Sequence, residues 1–269
     1  MTSGSAFLDR IIAAKRDAMS GVSAETRQSV RSAALAAVSK RTSKHSFLEA
    51  LRRTDRTNII AEVKRSSPSV GTIHQFADAV QTASIYANGG AAAISVLTEP
   101  DYFKGSLDDL RDVSKHVNLP LLRKDFTVDR HQIYEAATAG ASAILLIVAA
   151  LNSTEVRILR EIAEEELGLD ALVEAHSERE LEGALASGAT IVGVNNRNLQ
   201  TLEVTLETSQ RLARFISPDK VFVAESGIKT SDDVASLKAY GYNAFLVGET
   251  LMRATDPAEA LRSLARGAA

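Results

Sequence analysis

Cysteine is absent from this 269-residue chain, which excludes a disulfide framework, a thiolate metal site and a cysteine nucleophile. Histidine is scarce. The five present, at 45, 74, 116, 131 and 176, show no paired spacing of the HExxH kind, so no metal ligand is assigned and no cofactor is expected. The formal charge is only −3 and no run of Lys and Arg supplies a local basic patch, so a nucleic-acid partner is not expected. Long apolar runs are missing too: "AILLIVAAL", residues 143–151, is about half of the roughly 20 residues that a membrane span needs. The beginning, "MTSGSAFLDRIIAAKRDAM", carries charges within its apolar pattern and has no signal-peptide core. These absences point to a soluble cytoplasmic protein. With only 5 prolines and 45% hydrophobic residues, the length suits one large α/β domain, 1–269, and leaves no room for a second catalytic one.

Alternation fills that domain. Runs rich in Ile, Val, Leu and Ala recur at 58–64, 92–98, 120–126, 143–149, 170–176, 191–196, 221–227 and 244–248, giving eight expected strands. Stretches of helical period lie between them, such as "SLDDLRDVSKHV", "STEVRILREIAEEELG", "SERELEGALASG" and "SDDVASLKAYG". Several begin with Ser followed by acidic residues in the first turn, which suits an N-cap and the positive end of a helix dipole. "NGGAAAISV", "TAGASAILL", "SGATIVGV" and "YGYNAFLV" repeat one joint, a glycine that stops a helix just before a buried strand. Eight such units match a (β/α)8 barrel of the TIM type. An open doubly wound sheet is the alternative, weakened by the lack of GxGxxG after the first strand. Residues 1–57 precede the barrel, 58–269, as an N-terminal helical extension. In it "AFLDRIIAAKRDAM" puts Phe7, Ile11 and Ile12 on one face, expected to pack on the barrel.

Polar residues gather where the expected strands end. In "IIAEVKRSSPS", Glu62 and Lys64 share one face of an extended backbone and Ala61 and Val63 the other. Lys124 in "LLRKDF" alternates with Leu122 and Phe126, and Glu174 in "LVEAH" with Leu172 and His176. Asn195, Arg197, Glu225 and Ser226 end two more strands. Barrel enzymes carry their chemistry at this end. Strand ends also leave the barrel into solvent and are often polar for that reason alone, but five of them bearing both signs of charge are costly to bury without a use. Arg123 and Asp125, on the opposite face from Lys124, read as structural ion partners, Glu225 as the partner of a neighbouring lysine, and His176 as a hydrogen-bonded support. Phe103 and Phe126 suit either plain core or a platform for an aromatic ring. Gly227 and Gly248 follow the last two strands, where barrels commonly hold phosphate on backbone N–H groups, and "ETLMRA" can be the short helix that goes with such a site.

These segments carry a resemblance. "IIAEVKRSSPS", "SVLTEPDYFKGS", "LLRKDF", "LLIV", "LVEAH", "GVNNRNL", "VAESGI" and "LVGETLM" are similar, in order, to the signature segments of the indole-3-glycerol-phosphate synthase family. The first and third are the most specific, and the phosphate-loop segments are shared with other barrels. The resemblance implies a cofactor-free barrel enzyme of tryptophan synthesis, a monomer with a small phosphorylated substrate. By motif, Lys124 corresponds to the family's general acid, Glu174 to its acid/base partner, and Lys64, beside Glu62, to the second catalytic lysine. Asn195 and Ser226 correspond to substrate-orienting positions. Phe103, Phe126 and Leu145 fall where the family lodges the anthranilate ring, Arg197 near that ring's carboxylate, and Ser67, Gly227, Gly248 and Glu249 at the phosphate. Some members have Ser in place of Glu249, so contact there is expected from its backbone N–H with the carboxylate turned away. Two rivals stay open on the same fold: a Schiff-base aldolase with a desolvated lysine nucleophile, and a non-catalytic phosphometabolite-binding protein.

Overall fold

The computed structural model describes residues 4–74, 77–199 and 201–266. The outer limits of the expected domain, 1–3 and 267–269, lie outside the described residues. Eight parallel strands form a closed barrel: β1 (Asn58–Val63), β2 (Ala93–Leu97), β3 (Leu121–Lys124), β4 (Ala143–Ile147), β5 (Asp170–Ala175), β6 (Ile191–Asn195), β7 (Val221–Glu225) and β8 (Ala244–Val247). Each pairs with its sequence neighbours, and β8 returns to β1 with Ala61 opposite Val247. The TIM-barrel expectation holds, and the open sheet is excluded by this closure. The small antiparallel ribbon Ser66–Ser67 with Gly71–Thr72 follows β1 outside the barrel.

Alternation of side chains divides the core in two. Ile59, Ala61 and Val63 face outward into a layer shared with the helices, while Ile60, Leu122, Leu145, Leu172, Ile191 and Val223 fill the barrel interior. Each strand ends one or two residues before the limit its composition suggests, as at β3, which stops at Lys124 instead of residue 126. Polar capping causes the early stop there: the Asp125 carboxylate accepts the Phe126 N–H at 2.8 Å and turns the chain out of the ladder. At β7, Ser226 and Gly227 leave the sheet with φ of 66° and 81°.

The helix caps also correct the sequence reading in part. Ser106 and Ser177 do cap their helices, Leu107–His116 and Glu178–Ala186. The helices Ser153–Glu161 and Ser231–Ala239, however, are capped one residue earlier by Asn152 and Thr230. Both of those residues complete reciprocal capping boxes, with Glu155 and Asp233, which Ser at the next position could not reach. The four glycines at the helix-to-strand joints, 90, 140, 188 and 241, all adopt positive φ, a region that a side chain would strain.

Three helices precede the barrel: α1 (Gly4–Ser20), α2 (Ala24–Val38) and α3 (Ser46–Leu51). Phe47 and Leu51 of α3 are fully buried in the interior cluster and plug the N-terminal end. Burial of a side chain like Phe47 contributes about 1.5–3 kcal/mol. Two residues at strand starts fasten this plug. Asn58 donates to the Leu51 and Asn243 carbonyls at 2.9 and 3.1 Å, and Asp170 accepts the Leu48 N–H at 2.9 Å and meets His45 Nδ1 at 3.0 Å. Leu8 and Ile11 of α1 belong to the same interior cluster from the other end.

Asp170→Ala should cost about 1–3 kcal/mol, since it leaves a half-buried helix-end N–H and His45 without their acceptor. Urea unfolding measures it. An unchanged midpoint would show that Phe47, Leu51 and Asn58 hold the plug unaided.

Candidate active site

At the C-terminal end of the strands lies a cavity of about 450 Å³. Its floor is built by the inward parity of the strands. Glu62 continues the face of Ile60, Lys124 that of Leu122, Glu174 that of Leu172, Asn195 that of Ile191, and Glu225 that of Val223. Every residue assigned from the sequence lines this cavity: Glu62, Lys64, Ser67, Phe103, Lys124, Phe126, Leu145, Glu174, Asn195, Arg197, Ser226, Gly227, Gly248 and Glu249. His176 does not line it. Its Nδ1 sits 2.6 Å from the Asn195 carbonyl, the supporting position expected of it.

Lys124 is the hub. Its Nζ lies 3.2 Å from Glu174 Oε2 and 3.6 Å from Glu225 Oε2. Burial opposes its charge, but Glu174, Glu225 and Glu62 outweigh that and raise its pKa, so the amine stays protonated. Glu62 shows the reverse balance. Burial penalises its carboxylate, but Lys64, whose Nζ is 2.8 Å from Oε1, and then Lys124 prevail and hold it below the usual range. Glu225 goes the other way: burial and then the charge of Glu174 push its carboxyl up to about 8 against the pull of Lys124. Its carboxyl is thereby biased toward the protonated form, beside the Lys124 ammonium and an ionised Glu62.

Around this floor the walls differ in chemistry. Phe103 and Phe126, with ring centroids 6.3 Å apart and tilted by 46°, join Leu145 in an apolar wall. Asn195 donates to Glu174 Oε1 at 2.9 Å and accepts the Arg197 N–H at 2.9 Å, so one amide fixes both an acid and the start of the next loop. Arg197 donates to the Leu202 carbonyl at 3.0 Å, and burial lowers its pKa. At the far wall, Ser226 and Gly227 face Gly248 and the short helix Glu249–Arg253. The Glu249 carboxylate pairs along that helix with Arg253 Nε at 3.0 Å.

Sequence reasoning missed several neighbours. Phe7 of α1 reaches the cavity and packs edge-on against Tyr102, with centroids 4.9 Å apart. Glu99 also lines it, and its carboxylate gathers the N–H groups of Asp101, Tyr102 and Phe103 at 2.7–3.1 Å, which shapes the loop that presents Phe103. Glu225 was counted among the polar strand ends but read as the partner of a lysine and not assigned to the site; its shared parity with Val223 was the available signal for the cavity floor. Arg123 and Asp125 are ion partners as expected, 3.3 Å apart, but Asp125 also receives Lys15 of α1 at 2.7 Å. That pair pins the N-terminal helix to the residue after Lys124. Among the described residues, no group of three or more His, Cys, Asp or Glu is arranged to hold a metal ion.

Known proteins resemble the chain throughout. The sequence profile described as "Indole-3-glycerol phosphate synthase" matches residues 8–264. Indole-3-glycerol phosphate synthase from Ruminiclostridium cellulolyticum is 45% identical over 264 residues, spanning 98% of this chain and 100% of that protein. The enzyme of the same name from Lacticaseibacillus paracasei is 49% identical over 216 residues, 80% of this chain and 82% of its own. Two solved structures share the fold alone. KGPDC from Streptococcus mutans has a TM-score of 0.59 at 13% identity, covering 78% of this chain and 95% of its own. Thiamine phosphate pyrophosphorylase from Pyrococcus furiosus has a TM-score of 0.57 at 17% identity, covering 77% of this chain and 93% of its own.

Lys15→Met should loosen α1, because Asp125 then loses the cation that reaches it from that helix. Limited proteolysis should cut within residues 4–20 faster than in the unaltered protein while the circular dichroism of the barrel is retained. Equal cleavage rates would show that Phe7, Leu8 and Ile11 dock the helix without the ion pair.

Proposed function

Because the chain belongs to the indole-3-glycerol phosphate synthase family, we propose that the residues of its cavity perform that family's ring closure in the roles set out here. The chain is a carboxy-lyase of tryptophan biosynthesis. It converts 1-(2-carboxyphenylamino)-1-deoxyribulose 5-phosphate into indole-3-glycerol phosphate, releasing carbon dioxide and water.

The observation that carries the assignment of roles is the Lys124 ammonium held among Glu62, Glu174 and Glu225 between an apolar wall and a glycine-lined one. Phe103, Phe126 and Leu145 take the anthranilate ring, and Arg197 approaches its carboxylate. Ser67, Gly227, Gly248 and the Glu249 N–H take the phosphate. Asn195 and Ser226 orient the chain of the sugar between these ends. The substrate is thereby folded so that the ring carbon bearing the carboxylate meets the ketone carbon.

As that carbon–carbon bond forms, negative charge gathers on the ketone oxygen and Lys124 delivers a proton to it. A high pKa does not prevent this, because the alkoxide is a stronger base than the amine that remains. The carboxylate then leaves as carbon dioxide, and its bonding pair restores the ring. Dehydration follows: Lys64, fixed by Glu62, protonates the departing hydroxyl, and Glu174 accepts the carbon-bound proton as the indole double bond forms. Glu225, neutral at working pH, keeps the site from carrying a surplus of negative charge while it binds a phosphate and a carboxylate. On the same reading the chain works as a monomer in the cytoplasm, without a cofactor, on this small phosphorylated molecule. Its lack of cysteine and of a basic patch supports that setting. No helix among the described residues is long and apolar enough to cross a membrane.

Incubation with the carboxyphenylamino ribulose phosphate, followed by absorbance and fluorescence, should show the indole chromophore appear. Substrate bound and recovered unchanged would favour a binding protein. A borohydride-trapped adduct on a lysine would favour an aldolase.

Lys124→Ala should leave the barrel folded by circular dichroism and thermal melting but lower kcat by roughly 10²- to 10⁴-fold, the usual worth of a positioned general acid. Lys124→Arg should not restore it, since a guanidinium with a pKa above about 12 keeps the charge but scarcely gives up a proton. Near-normal turnover by Lys124→Arg would make Lys124 an electrostatic anchor and pass the acid's role to Lys64.

A further inference from the structure

Gly193 has no role in the reading above, yet it occupies a place where a side chain is expected. On β6 it shares the inward parity of Ile191 and Asn195 and stands in register with Glu174 on one side and Val223 on the other. A Cβ added there would overlap Oε1 of Glu225 and come within 3.3 Å of its Cδ and of Leu172 Cδ1. That oxygen is buried and has no hydrogen-bond partner, whereas Oε2 of the same carboxyl faces Lys124 at 3.6 Å. Glu225 thus lies with one oxygen sunk in the gap above Gly193. A buried oxygen without a donor is a poor place for ionic charge.

We propose that Gly193 is a positioning residue for the reaction, whose missing side chain opens the niche that draws Oε1 of Glu225 away from the ion pairs and leaves Glu174 as the closer partner of Lys124. The inference rests on the catalytic reading above and adds a residue to it. The groups that face Glu225 are Glu62 on β1, Lys124 on β3 and Glu174 on β5, with the Asn195 backbone opposite it on β6. Two of those groups are acids. With a Cβ in the niche, the carboxyl must swing toward the one cation in reach, Lys124, where ionisation is favoured and where it competes with Glu174. The direction of the pKa agrees: in the niche, burial and Glu174 push Glu225 up to about 8. Gly248 offers a parallel, since a Cβ there would overlap Oε1 of Glu62. Glu62 has Lys64 at 2.8 Å to keep it ionised, and Glu225 has no cation so close.

Carbon-13 NMR of the full chain labelled at glutamate side-chain carboxyls tests the niche without relying on turnover. One resonance should titrate near pH 8 and vanish in Glu225→Gln, which assigns it. In Gly193→Ala its midpoint should fall by about one pH unit or more, as a carboxyl gains an ion partner. The alkaline fall of kcat should shift the same way, because the protonated form of Glu225 is then lost at lower pH. A midpoint that stays near 8 in Gly193→Ala overturns the proposal. If the unaltered protein gave no indole product, the catalytic reading would fail while the NMR titration still decided the niche. Should Gly193→Ala fail to fold, Gly193→Ala with Glu225→Ala must fold again. If that double variant is also unfolded, the glycine serves the barrel and not Glu225, and the proposal is overturned.

Discussion

An ammonium group held among three carboxylates in a buried site is expensive in isolation, and the rest of this structure is arranged around making it tolerable. Two half-buried cations against three buried acids would leave excess negative charge beneath a substrate that is itself an anion. The strain is relieved unequally. Glu62 keeps its charge because Lys64 is adjacent, and Glu225 gives its charge up. A closed barrel is what permits this, because its strands aim side chains at one axis and fix their spacing by register. The same groups on an open sheet would lie along a plane, each within reach of water and of at most two neighbours.

That geometry in turn depends on both ends of the barrel being shut. Below the charged layer, the interior is filled by Ile60, Leu122, Leu172 and Val223, and α3 seals the far end with Phe47 and Leu51. Above, α1 covers part of the mouth, and its Lys15 adds a second cation to Asp125 beside Arg123. Burial opposes the charge on Asp125, but Arg123 and Lys15 overcome it and lower its pKa. The N-terminal extension is therefore joined electrostatically to the peptide that carries Lys124, and docking of the helix and placement of the acid are one problem.

The architecture was largely legible in the sequence because it rests on local signals. Eight apolar runs, helical stretches between them and glycines at repeated joints each report on a few consecutive residues, and parity along a strand followed directly. So did the charged floor, since Glu62, Lys124, Glu174 and Asn195 continue the inward faces of their strands. Where the reading fell short, the missing facts lie between distant segments. Asn152 and Thr230 displaced the expected serine caps because a capping box depends on a partner three residues on as well as on the cap. Phe7 reaches the cavity through Tyr102, 95 positions later in the chain, which no local pattern encodes. Glu225 was visible as a strand end, but the rise of its pKa comes from its burial and then from Glu174, both set by tertiary structure.

Under the proposed roles, Glu249 is an acid on the wall assigned to the phosphate. A carboxylate facing the bound anion would repel it, yet the residue sits at the start of a short helix whose own Arg253 lies one turn on, with Nε 3.0 Å from Oε1. The pair is half exposed and weak in energy, of the order of 0.3–0.5 kcal/mol for such a spacing. Its consequence is directional. The side chain is drawn along the helix, while Gly248 and Glu249 both remain part of the cavity wall. The position needs only a residue whose side chain stays out of the way, which a short hydroxyl achieves by size and a glutamate by pairing with Arg253. Charge at this wall is thus managed by the same device as at the floor. A potentially repulsive carboxylate is kept, and a neighbouring residue determines whether its charge is felt.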